Sequence, residues 1–322
     1  MAFAPALKTW LLVVPAVALL GMVGLRVGER LAQGAGGSGT FAASAAQADA
    51  PMALGPLAVM SPGASGSNRE AGRTLPSGLP LDLRADLEGD TDLHAFAQRL
   101  RGQADAGNVE ARWVLSRVYD YCSPYANDAG GYQRDSAALA TLGSAGASAM
   151  VAARARVADR CAGFVPSDGL GHALVFMQRR QAAQGGNLAA EASLLADGQP
   201  LQEGADYRRS LVQRVRESRD PEAFMALAPA MGLRAAGDQA LVGLVAGEAL
   251  SELAWRVAAC DLGMACGPGS VLMNSYCANG GICSQDAGQG FTDFVYDAAV
   301  SRQGAGKMTE WVEQLTGKRT DR

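Results

Sequence analysis

The feature that most restricts the fold of this chain is an internal repeat. Arg117-Val118-Tyr119-Asp120-Tyr121-Cys122 returns as Arg156-Val157-Ala158-Asp159-Arg160-Cys161, thirty-nine residues later. Gly107 maps onto Gly146 by the same offset, and Gly185 falls at the next multiple. A period of this length has room for a helix, a glycine-containing turn and a second helix. Units of that kind bury their apolar faces only against neighbouring units. The expectation is an all-α, helix-turn-helix repeat domain resembling an α-solenoid, with disulfide-stapled C-terminal helices.

The first 80 residues do not join that domain. Thr9–Leu25 reads TWLLVVPAVALLGMVGL, a run without charge between Lys8 and Arg26. Its length is at the short end of what crosses a bilayer. A cleaved signal would place its small-residue site close behind the apolar core, yet Ala46-Gln47-Ala48 lies far downstream. Residues 1–32 therefore read as an uncleaved signal anchor or transmembrane helix in the inner membrane of a bacterium. Lys8 competes with Arg26 and Arg30 across the span, so charge alone does not orient it. The six cysteines, all distal, are consistent with oxidised pairs and place the C-terminal domain in the periplasm. Residues 33–80 are dominated by Gly, Ala, Ser and Pro and read as a disordered linker. Within it, Gly34-x-Gly36-x-x-Gly39 spells a dinucleotide fingerprint, but no strand-helix-strand unit surrounds it. Leu81, Leu83, Ala85 and Leu87 alternate with charged residues, the pattern of a short strand or extended arm.

Beyond the linker, helix starts are marked by acceptor side chains. Asp90 precedes TDLHAFAQRL, Asp168 precedes the segment containing ALVFMQRR, and Asp220-Pro221-Glu222 combines a cap, a first-turn proline and a carboxylate at the positive end of the dipole. Residues 239–259 read as the longest and central helix. With 48% hydrophobic but only 6% aromatic residues, the helices must approach closely through small side chains. The domain plan is repeats over 81–205 and a helical, Cys-rich region over 206–322.

Ala104-Asp105-Ala106-Gly107-Asn108-Val109-Glu110-Ala111, followed by Leu115 and Tyr119, resembles the core of Sel1-like repeats, relatives of the tetratricopeptide repeat. Gln181-Ala182-Ala183-Gln184-Gly185-Gly186-Asn187-Leu188-Ala189-Ala190 resembles the same turn with one extra glycine. The copy around Gly143-Ser144-Ala145-Gly146 keeps the glycine but lacks the Asn. Sel1-like domains serve mainly as adaptors between proteins, often in bacterial envelopes. The resemblance thus implies an unidentified envelope protein as partner and names no catalytic residue.

The cysteines fall into two sets. Cys260-x-x-Gly263-x-x-Cys266 and Cys277-x-x-Gly280-x-x-Cys283 are two copies of one pattern, in which the glycine would supply a left-handed turn after a helix end. Local bridges Cys260–Cys266 and Cys277–Cys283 follow from this, although four cysteines allow three pairings and a crossed arrangement stays open. A tetrathiolate zinc site is disfavoured, because its ligand pairs are usually spaced by about 2–4 residues. The tail resembles the Cys-rich endings of uncharacterised exported proteobacterial proteins, a likeness that implies no activity. Cys122 and Cys161 would then pair across repeat units, against the objection that equivalent positions on stacked helices point the same way.

Candidate chemistry is sparse. A net charge of −4 argues against nucleic acid as a partner. His94 and His172 have no nucleophile or acid at an activating spacing, and no local catalytic signature such as G-x-S-x-G or H-E-x-x-H occurs. No cofactor or metal is called for. Glu248 and Glu252 lie one helical turn apart near Trp255 and could tune each other as an acidic site, but Arg256 stands four residues after Glu252, as in an ordinary helix ion pair. Arg208, Arg209, Arg214, Arg216 and Arg219 form a basic stretch that could dock an anionic partner or the membrane surface. Together these features predict a membrane-tethered envelope protein that acts as a non-catalytic interaction or scaffolding module. The alternatives are an envelope hydrolase or glycan-binding protein with an acidic groove, or an exported inhibitor or immunity protein.

Overall fold

The computed structural model describes residues 83–89 and 92–317, all within the unit Glu70–Arg322. The anchor, the linker and the Asp90 cap lie outside the described residues. Among the described residues the secondary structure is helical, with no strand, and no helix is long and apolar enough to cross a membrane. The helices are α1 (Leu83–Glu88), α2 (Leu93–Asp105), α3 (Val109–Ala126), α4 (Ala129–Ala140), α5 (Ala145–Cys161), α6 (His172–Gln184) and α7 (Leu188–Ala196). They continue as α8 (Ala205–Ser218), α9 (Pro221–Met231), α10 (Ala249–Asp261), α11 (Val271–Ala278), α12 (Phe291–Ala299) and α13 (Ala305–Thr316).

One turn recurs. After α2, Gly107 takes φ +91° and the Asn108 side chain accepts from the Ala111 N–H to start α3. After α6, Gly186 takes φ +96° and Asn187 accepts from Ala190. In both turns the Asn backbone N–H also donates back into the preceding helix, Asn108 to Gln103 and Asn187 to Ala182, each at 3.0 Å. A single Asn therefore closes one helix and opens the next. The α4–α5 turn uses Gly143 and Ser144 for the same purpose, and the α8–α9 turn uses Arg219, with φ +52°, and Asp220. The repeat register read from the sequence is thereby corrected. Gly146 lies inside α5 and Gly185 has φ −80°, so the left-handed positions are Gly143 and Gly186. Gly185 answers a different need: a Cβ there would collide with Cγ1 of Val109, so glycine lets this turn approach the start of α3.

Four other expectations change. The alternating segment is the helix α1 rather than a strand; Leu83 and Leu87, four apart, are both buried, the spacing of one helical face. The cap of α2 is Asp92, which accepts from the His94 and Ala95 N–H groups. Asp168 ends a short 3-10 turn and accepts from the Val165 N–H, while Gly171 precedes α6. Residues 239–259 are not one helix. Gly243 and Gly247 take φ +80° and +92°, and the buried Trp255 indole donates to the Val245 carbonyl at 2.8 Å, a bond that needs Val245 outside a helix. The helix proper, α10, begins at Ala249. The Asp220-Pro221 start of α9 is as expected.

Packing gives one row with a side branch. α3 lies against α2 and α6, α6 against α7, α7 against α9, α9 against α10, and α10 against α13. The α4–α5 hairpin stands off this row: α5 touches α3 and covers α11. At one end of the row, Arg84 of α1 donates to Glu110 at the start of α3 and to the Asp220 cap of α9, each at 2.9 Å. Glu110 also accepts from the Asn187 side chain. α1 is thus a short strap across three helix starts.

All six cysteines are paired: Cys122–Cys161, Cys260–Cys266 and Cys277–Cys283. The first has Cα atoms 5.5 Å apart and joins α3 to the last residue of α5. In the local pairs, Gly263 is left-handed as expected, but in the second loop Gly281 takes that role. A Cβ on Gly280 would instead meet the Tyr276 carbonyl at 2.8 Å.

Candidate functional site

The row of helices leaves a groove on one side. α3 lends it Trp113, Arg117, Asp120 and Tyr121, which share one stripe at helical spacing. The far wall comes from Ser193, Ala196 and Asp197 of the α7 end, Met225, Ala226 and Pro229 of α9, and Val271 and Ser275 of α11. This part has a volume of about 350 Å³. A second cleft of about 450 Å³ continues it toward Arg256, Met264, Tyr276 and Ile282, and shares Arg117, Met225, Val271 and Ser275 with the first. Four shared side chains show that the two clefts adjoin, and the two together are called the groove.

Its charges are ordered in depth. Arg179 of α6 spans Asp120 at 2.7 Å and Asp197 at 3.4 Å, so one guanidinium holds α6 to α3 and to the end of α7. The Arg179 side chain is 16% exposed, against 59% for Asp120 and 29% for Asp197. The carboxylates face the solvent and the cation lies behind them. Arg117 pairs with the buried Glu222 and lies 4.0 Å from Glu88. Burial pushes the Glu88 carboxyl above its usual range, while the Val271 N–H, donating to it at 2.9 Å, and Arg117 pull the other way. Arg256 donates to Glu252 at 2.6 Å and lies 5.5 Å from the centre of the Tyr276 ring. Burial raises the Tyr276 phenol. Trp113 is buried at the floor, and its indole N–H has no acceptor among the described residues.

The groove offers exposed carboxylates over buried arginines at one end, and thioether and aliphatic surface beside Arg256 and Tyr276 at the other. Its lining includes no histidine, and the Ser193 hydroxyl donates to the Ala190 carbonyl at 2.7 Å. Such a surface is suited to holding an extended polar-and-apolar ligand by side-chain contact.

The residues singled out from the sequence lie elsewhere. The five arginines of the basic stretch all have internal partners: Arg208 meets Asp238, Arg209 the Ala240 carbonyl, Arg214 Glu191, Arg216 the Gln314 carbonyl and Arg219 the Thr316 carbonyl. These contacts tie α8 to Asp238 and Ala240, to α7 and to the end of α13. Burial alone would raise Glu191, but the bidentate Arg214 contact and the Tyr207 hydroxyl outweigh it and hold the carboxyl below its ordinary range. Glu248 accepts from Lys307 at 2.7 Å and Glu252 from Arg256, so each carboxylate of the expected acidic pair has its own cation. His94 packs edge-on against Phe164, and His172 stacks on Phe176. Arg117, Asp120 and Tyr121 were visible in the sequence only as repeat markers. The spacing of Trp113, Arg117 and Asp120 along α3 was the available signal; Arg256 was read only as the partner of Glu252, and Arg179, Asp197 and Met225 had none.

Comparison with protein-family models, with curated proteins and with solved structures finds no match to this chain.

Proposed function

We propose that this chain is a protein-interaction or scaffolding module without catalysis, whose helical unit is held at a bacterial inner membrane by residues 1–32 and stands in the periplasm. The observation that carries the reading is the elongated groove, walled by side chains of α3, α7, α9 and α11. A lining drawn from several helix hairpins is what stacked repeats provide, and elongated surfaces of that kind bind segments of other proteins. The recurring Gly-Asn turn supports reading α2–α3 and α6–α7 as Sel1-like units in a short solenoid. Three disulfides fit an oxidising compartment. A hydrolase built on Glu248 and Glu252 would first have to free both carboxylates from Lys307 and Arg256.

The test is a crosslinking pull-down from the native envelope with the oxidised full chain as bait, beside an Ala226→Trp variant that fills the groove. One recurrent protein, captured by the wild type and lost by the variant, is the expected result. Equal capture by both baits would remove the groove from the account.

A further inference from the structure

We infer that the groove accepts a basic peptide segment, one whose Lys or Arg pairs with Asp120 and Asp197 and whose neighbouring large aliphatic side chain lies against Met225, Met264 and Ile282. This inference rests on the interaction-module reading and specifies the partner's chemistry. Charge complementarity carries it. Arg179 is one cation for two carboxylates, and Arg117 is one cation for Glu222 and Glu88. The cations are the deeper members in both sets except for buried Glu222, so a ligand entering from solvent meets Asp120 first. A cation placed there completes the pairing of the second carboxylate, which is 59% exposed, so the contact is that of a solvent-screened ion pair. An anionic ligand would have to pass two carboxylates to reach Arg179.

The second cleft sets the other half of the ligand. Met225 is adaptable apolar surface, Met264 is buried at 8% exposure, and Ile282 stands 55% exposed at the rim. Ile282 is held inside the Cys277–Cys283 loop, which fixes the rim in place. An exposed aliphatic side chain beside two thioethers is ready to cover an apolar residue of a partner. The two clefts share Met225 and Val271, so the basic and aliphatic side chains belong to one continuous segment.

The experiment is fluorescence anisotropy of the oxidised full chain with fluorescein-labelled short peptide pools, each member carrying one Lys and one Leu in a Gly/Ser background. Matched pools replace Lys by Glu or Leu by Ser. The Lys/Leu pool is expected to bind about threefold or more tightly than the Glu/Leu pool, the scale of an exposed ion pair. The preference should weaken with salt and vanish in the Asp120→Asn/Asp197→Asn double variant. A second double variant, Asp128→Asn/Asp135→Asn, removes acids from the α4 side branch and should keep the full preference. Equal binding of Lys and Glu pools, with loss of both in Ala226→Trp, would overturn the basic-peptide inference and leave the groove reading standing. Binding untouched by Ala226→Trp would overturn both. No binding by any pool would overturn the peptide inference, leaving the pull-down to judge the module.

Discussion

Two hairpins of this molecule share a turn and differ in almost everything else. α6–α7 and α4–α5 are each closed by a left-handed glycine followed by a capping side chain, Gly186-Asn187 in one and Gly143-Ser144 in the other. Yet α7 buries nearly all of its length, from Ala189 through Ala196, whereas α4 buries Tyr132 alone. The turn specifies that two helices fold back; the apolar pattern specifies whether the pair enters the row. α7, with Ala at 189, 190 and 192, lets α6 and α9 come close on both sides. α4 has no comparable stripe, and its hairpin is held through α5 and through the Cys122–Cys161 bridge. Packing secures one hairpin, and a covalent staple secures the other.

The comparison breaks most visibly at the staple. Cys122→Ser/Cys161→Ser opens a loop spanning 39 residues and should cost about 4 kcal/mol by loop-closure entropy. Urea unfolding would measure this, and hydrogen exchange should show α4 and α5 losing protection before α6 and α7. Next, Leu194→Ala in the fully buried face of α7 should cost about 3 kcal/mol, within the usual range for such cavities. Leu142, 64% exposed beside α4, should tolerate Ser within about 0.5 kcal/mol. Equal effects at Leu194 and Leu142 would dissolve the distinction between row and branch.

Glu191 sharpens the same point electrostatically. Its folded carboxyl is held below the ordinary range by Arg214 and Tyr207, so the unfolded chain takes up the proton first as pH falls. The contribution is fully present above the unfolded carboxylate value and is lost as pH drops through the folded one. Glu191→Gln should therefore cost about 2 kcal/mol near neutrality, the scale of a charge-assisted bond, and less in acid. Denaturation midpoints of the two proteins against pH would show the curves converging below about pH 4. The turns sit between these extremes: Asn187→Ala removes a cap and should cost about 1 kcal/mol, with Ser144→Ala costing less.

Much of the fold is written locally. Asp220-Pro221 starts α9 where it reads as a helix start, and the two six-residue Cys spacings pair locally, with the expected left-handed glycine in the first loop only. Local signals fail where a distant contact decides. Leu83 and Leu87 satisfy an alternating pattern and a helical one equally, and Arg84 reaching Glu110 and Asp220 accompanies the helical choice. Residues 239–259 carry a continuous apolar pattern, but Gly243, Gly247 and the Trp255–Val245 bond break it. The basic stretch at 208–219 reads as one charged face, and its pairing with Asp238, Glu191 and the end of α13 is recorded by no spacing. The groove was least legible. Arg179 becomes part of it only because α6 returns to α3 past the intervening hairpin, an arrangement that no spacing records.

The central claim, a groove that holds a protein partner, is tested most directly by placing a photo-crosslinking amino acid at Met225 and, separately, at Leu142 in the full chain, and irradiating the cells that make it. Met225 lines both halves of the groove, while Leu142 is exposed on the side branch. The account predicts one discrete protein adduct from position 225 and none from position 142. Adducts of equal yield from both positions, or from Leu142 alone, would contradict it.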